Sequence, residues 1–197
     1  MQQINVQDET FERNDFTEKP LAKGQYENCV FSNCDFSDCE LNEFKFIECE
    51  FRNSNLSLIK LNQTALQDVK FIHCKMLGVR FDMCLDFGLS FTFDTCQLSH
   101  CIFYGKSIKK TSFLNSQLKE VDFTKCELSG SIFENCELGG AVFENTILEK
   151  ADFRSSYNYS IDPELNRIKK AKFSILGISG LLEKYDIVIE PIHQNNN

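Results

Sequence analysis

Ten cysteines and three histidines are the side chains of this sequence best suited to metal, redox or nucleophilic chemistry. Their spacing decides between those uses and plain packing. His73, His100 and His193 stand alone, with neither a nucleophile nor a ligand pattern beside them. No CxxC, no HExxH and no glycine-rich phosphate loop occurs. The run Cys29, Cys34, Cys39 invites an iron-sulfur reading, but its step of five belongs to a much larger pattern. No catalytic residue, cofactor or metal ligand is expected.

That pattern starts at Phe11. Stepping by five meets fifteen large apolar residues in succession, ending at Phe81, and a second run of thirteen leads from Phe93 to Phe153. A helix repeats its core face near every 3.6 residues and a strand every 2, so neither element keeps a strict five facing one core. The chain must turn a corner once per repeat, with the central residue of each five aimed at a shared axis. The position two before each centre also points inward and is mostly small: Gly24, Ser54, Thr64, Ala141, Thr146 and, with Cys84 included, all ten cysteines. A small buried Cys is a compact hydrophobe with a weak donor. Consecutive repeats put these thiols on different walls of a packed core, which favours packing over metal. Cys29 and Cys49 would stack in adjacent coils at disulfide distance, yet free thiols are expected in a reducing compartment.

The segments CDFSDCEL and CELSGSIFENCELGGAVFENTILEKADF resemble pentapeptide-repeat proteins, and the likeness runs roughly from Phe11 to Phe173. It implies an all-β fold: a right-handed quadrilateral β-helix, the pentapeptide-repeat solenoid, with four repeats per coil. Twenty residues per coil would stack Phe11, Phe31, Phe51 and Phe71 on one wall. A two-residue register shift between 81 and 93 extends that column through Phe93, Phe113, Phe133 and Phe153. The extra residues are expected within DMCLDFGLS, as a bulge on the wall of Tyr26, Phe46 and Leu66. Asn33, Asn53, Asn115 and Asn135 also align, as a side-chain ladder between coils about 4.8 Å apart.

The solenoid is expected over 1–173, loosening through SSYNYSIDPELN, where Asn158 and Pro163 fall at expected centres. A short C-terminal helix and tail occupy 174–197. Ser174 can cap that helix, which would run to about Tyr185 and cover the open end of the core. Gly177 and Gly180 weaken it, and Ile187–Glu190 reads as a strand. The stretches IDPELNRI and SGLLEKYDIVIE resemble the tails of quinolone-resistance (Qnr) proteins and of a microcin immunity protein. That resemblance implies a homodimer joined end to end through Leu176, Ile178, Leu181 and Leu182.

The formal net charge is −8, which disfavours direct nucleic-acid binding and anionic membranes. Residues 1–50 hold twelve Asp and Glu against four Lys and Arg, so the imbalance lies wholly in the first coils. Asp15, Glu18, Asp35 and Asp38 share one wall, and Glu40 and Glu43 the next. No stretch reaches the roughly 18 apolar residues of a membrane span, and the polar start lacks the look of an export signal, so a cytoplasmic location is expected. The Qnr resemblance implies a non-enzymatic DNA mimic that binds DNA gyrase or topoisomerase IV. The alternative is a general protein-interaction scaffold whose acidic end only keeps it soluble.

Overall fold

The computed structural model describes residues 4–190. His193 lies outside them. Each repeat is a short extended piece followed by a corner, and the corner residue two after each centre takes a left-handed backbone, as at Asn33 (φ 55°), Glu48 (φ 53°) and Leu58 (φ 60°). Because a corner arrives every five residues, the chain closes a four-sided coil after twenty.

Successive coils pair in parallel. Phe11 lies opposite Phe31, Phe31 opposite Phe51, and Phe51 opposite Phe71. The strands in chain order are β1 (Ile4–Gln7), β2 (Thr10–Glu12), β3 (Gly24–Glu27), β4 (Val30–Ser32), β5 (Lys45–Ile47), β6 (Glu50–Arg52), β7 (Ala65–Gln67), β8 (Val69–Ile72), β9 (Phe91–Asp94), β10 (Ser112–Leu114) and β11 (Ile132–Glu134). One wall is the sheet β1-β3-β5-β7, and its neighbour is the sheet β2-β4-β6-β8-β9-β10-β11. The other two walls are joined by single bridges such as Asp35 to Asn55 and Asp122 to Val142.

The core is an aromatic stack. Phe93, Phe113 and Phe133 are fully buried, with ring centroids 5.3 and 4.9 Å apart and nearly parallel planes. A second column, Phe81, Phe103, Phe123 and Phe143, meets the first edge to face. The small inward slot also has a chemical requirement. Its side chain donates to a carbonyl of the preceding coil, as from Ser54 Oγ to Phe31 (3.3 Å), Thr64 Oγ1 to Leu41 (2.6 Å) and Cys49 Sγ to Tyr26 (3.3 Å). Ser, Thr and Cys combine the size with the donor.

Two residues are inserted opposite Leu66 and Gln67. The Leu85 amide still bonds Thr64 in the ordinary register, whereas Ser90 bonds Leu66 and Phe93 then pairs with Phe71. The extra length is taken up over Asp86–Leu89, with Gly88 in a left-handed turn (φ 70°) where a Cβ would press on the Gln67 amide. The sheet β1-β3-β5-β7 stops there.

Within the coils two features depart from the sequence-based expectation. Asn33 and Asn53 occupy left-handed corners, but a side-chain ladder forms only from Asn135 to Asn115 to Asp94 (3.0 Å each). Asn33 bonds Ser32 instead. In the last coil the inward positions slip: Asn158 becomes a corner, and Tyr159 and Ile161 fill the core.

Candidate functional site

The solenoid interior is filled by its own side chains, so the candidate surfaces are its ends and walls. Among the described residues no group of His, Cys, Asp and Glu could hold a metal ion. The ten thiols are free. Burial pushes those of Cys49, Cys126 and Cys136 up to about 12, against the thiolate form that ligation or nucleophilic attack needs.

At the N-terminal end Asp15 and Asp35 stack in one bridge, on the wall that also carries Glu18 and Asp38, while Glu40 and Glu43 occupy the adjoining wall. These carboxylates are not equivalent. Asp15 accepts from the Thr17 amide (2.9 Å) and hydroxyl (2.6 Å), bonds that hold its carboxyl below the usual range. Asp35 accepts from the Ser37 amide (2.8 Å) and from Asn55. Both therefore close turns. Asp38 pairs with Lys60 (2.8 Å) and Glu43 with Lys23 (2.9 Å). Glu18 and Glu40 make no ion pair among the described residues, and both are exposed.

The C-terminal end is closed by a 3-10 helix, Ile175–Leu181, and a second turn, Glu183–Tyr185. Ser174 caps the first, its hydroxyl accepting from the Gly177 amide (3.1 Å). The two glycines explain the close seating of this helix. A Cβ at Gly177 would run into the Tyr159 hydroxyl and one at Gly180 into the Tyr159 carbonyl, while the Gly180 carbonyl accepts from Ile161 (2.8 Å). The helix thus sits directly on the last coil. Lys184 latches it, 2.7 Å from both Asp162 and Glu164, and the Tyr185 hydroxyl donates to Glu164 (2.9 Å).

This seating separates the four expected contact residues. Leu176 is 95% exposed and Ile178 41%, whereas Leu181 packs into the core and is a residue of the protomer interior. Leu182 is half-buried. The exposed apolar surface of this end includes Ile175, Leu176, Ile178, Ile187, Val188 and Ile189. The segment 187–190 forms no strand, because its backbone is not paired to the solenoid. A cleft of about 960 Å³ separates this apolar rim from Arg154, Tyr157 and Asn158 of the last coil.

Sequence reasoning missed Lys106. It occupies a small-residue slot, is buried, and its ammonium reaches the Cys84 carbonyl (2.7 Å) and Asp86 (2.6 Å) beneath the inserted loop. The signal was available: a lysine two residues before the centre Ile108, one coil after the insertion.

A four-sided parallel coil stacked on aromatic columns defines a β-solenoid repeat protein that presents its outer walls. The chain belongs to the pentapeptide-repeat proteins. Residues 29–64 match the family model of pentapeptide repeats and residues 88–153 that of the pentapeptide repeat region, together about half the chain. No curated protein matches it. Among solved structures it is similar to a trypsin-treated variant of QnrB1, a plasmid-mediated fluoroquinolone resistance protein, at 19% identity and a TM-score of 0.62, over 95% of this chain and 98% of that one. It is also similar to HetL, a pentapeptide repeat protein involved in heterocyst differentiation regulation in the cyanobacterium Nostoc, at 12% identity and a TM-score of 0.68, over 87% of each chain. These likenesses concern the fold. No helix among the described residues is long and apolar enough to cross a membrane.

Proposed function

We propose that the chain is a non-enzymatic binding rod of the cytoplasm whose acidic first coils mimic DNA and engage DNA gyrase or topoisomerase IV, protecting them from quinolones or toxins. The observation that carries this reading is the concentration of acid at one end: twelve carboxylates against four cations in residues 1–50, with Asp15, Glu18, Asp35, Asp38, Glu40 and Glu43 on two adjoining walls of the rod. A topoisomerase groove that holds phosphates is basic and would meet this surface with complementary charge. The fold likeness to a fluoroquinolone resistance protein supports the same direction. The active unit is a homodimer in which Ile175, Leu176 and Ile178 of two copies cover one another, placing the acidic ends at the far tips.

A scaffold with an unrelated partner is favoured by one specific observation: Asp15 and Asp35 are engaged in turns, and Asp38 and Glu43 in ion pairs. A gyrase supercoiling assay with a quinolone separates the two. The DNA-mimic reading requires rescue of supercoiling and an affinity that falls as salt screens the charges. It also requires that Glu18→Lys, Glu40→Lys and Glu43→Lys together weaken binding, and these substitutions leave the Asp15 and Asp35 turns intact. Absence of binding by the unmodified protein leaves the scaffold.

A further inference from the structure

We propose that the inserted loop is a second interaction surface, anchored by Phe87, that takes an acidic protein segment carrying an apolar side chain. Phe87 is 87% exposed at the tip of the insertion. The fold itself does not call for this arrangement, since the coils before Phe81 and after Phe93 stack without it. The loop nonetheless exposes a large ring and draws an ammonium out of water beneath it, both of which cost free energy.

The ring is presented rigidly. Lys106 ties Asp86 and the Cys84 carbonyl, Gln67 donates to the Phe87 carbonyl (3.3 Å), and Gly88 supplies the left-handed turn. An aromatic side chain on a fixed loop loses little freedom on binding, which is what an anchor needs. Two residues beyond Phe87, Leu89 lines a groove of about 230 Å³ floored by the buried Phe91, with Asp68, Lys70, Lys109 and Lys110 around it. Lys70 and Lys110 form no ion pair among the described residues; Lys109 approaches Glu127 at 3.4 Å, and the Asp68 carboxylate accepts from the Ser90 hydroxyl (2.9 Å). The rim is thus cationic on a chain of net charge −8. Charge complementarity selects an acidic segment.

In a four-sided coil the wall of Tyr26 and Leu66, which carries the loop, is two corners from the wall of Asp15 and Asp35. The loop and the Asp15–Asp35 wall therefore face opposite ways, while Glu40 and Glu43 lie on the wall between them.

Panning phage-displayed random peptides on the full-length protein tests this. Enriched sequences are expected to combine Asp or Glu with an aromatic or aliphatic residue. Their affinity should fall about tenfold or more in Phe87→Ala, and again in Lys70→Glu with Lys110→Glu. Thermal unfolding of Phe87→Ala should match the unmodified protein, because the ring is exposed. No enrichment, enrichment of basic peptides alone, or peptides that bind Phe87→Ala as tightly as the unmodified protein would each overturn the proposal.

Discussion

Lys106 and Asp86 form an ion pair of 2.6 Å in which the lysine side chain is 8% exposed and the aspartate 82%. The pair is lopsided: its cation is part of the core and its anion part of the surface. Lys106→Met should therefore cost about 2 kcal/mol, chiefly through the Cys84 carbonyl left without its donor. The loop should lose protection from hydrogen exchange, while Asp86 alone returns to water. Equal protection in both proteins would show that the loop holds itself.

Phe113 lies between Phe93 and Phe133 at van der Waals spacing and is fully buried. Phe113→Ala should cost about 3 to 5 kcal/mol, since neighbouring coils are pinned by their backbone bonds and cannot collapse into the gap. Denaturant unfolding measures it. A loss below about 1 kcal/mol would mean that the stack relaxes freely.

The C-terminal residues should divide into two classes. Ile175→Glu or Leu176→Glu should give a folded monomer by sedimentation that loses only the concentration-dependent part of the melting temperature, because both side chains face solvent in the single chain. Leu181→Glu should lower the melting temperature whatever the oligomeric state, because it buries a charge. An unmodified protein that sediments as a monomer at micromolar concentration would remove the dimer.

Acid should weaken the last coils. The Arg154 guanidinium beside Asp152 (2.8 Å) holds that carboxyl at about 2 against an ordinary 3.8, and Lys184 holds Asp162 and Glu164 below their usual values. A carboxylate whose folded value is depressed adds stability that is present above its unfolded value and lost as pH falls through the folded one. Stability should thus decline from about pH 4 towards about pH 2. Asp152→Asn should reduce that slope. The change is small because Arg154 is mostly exposed, and melts across this range read it.

Leu58 holds a left-handed corner (φ 60°) while 54% exposed. Leu58→Asn should stabilise the protein by about 0.5 to 1 kcal/mol, since Asn tolerates this conformation and a branched apolar side chain does not. A lower denaturation midpoint would mean that the contact of Leu58 with Gly78 matters more.

The five-residue step made the coil legible because every repeat places one large and one small side chain inward, and both can be read as residue types. The helix was legible only in part. Gly177 and Gly180 read as weak points by propensity, whereas their role lies in contact with Tyr159, eighteen residues or more away in the chain. The slip at Asn158 was hidden for a related reason: Tyr159 and Asn158 are adjacent, and only the arriving cap decides which faces inward. At the acidic end, residue types gave the charge but not its use, since Asp15 and Asp38 look alike in sequence while one closes a turn and the other pairs with Lys60.

The parallel register has a mechanical consequence. The backbone hydrogen bonds that join one coil to the next lie along the long axis, as from Glu50 to Cys29 and Lys70 to Cys49. A pull on the two ends therefore opens these bonds one coil at a time, like a peeling seam. A sideways load is shared by all four walls at once and resisted by the aromatic columns. The molecule should be stiff against bending and yield in tension by small, equal, reversible steps, each releasing one coil of chain.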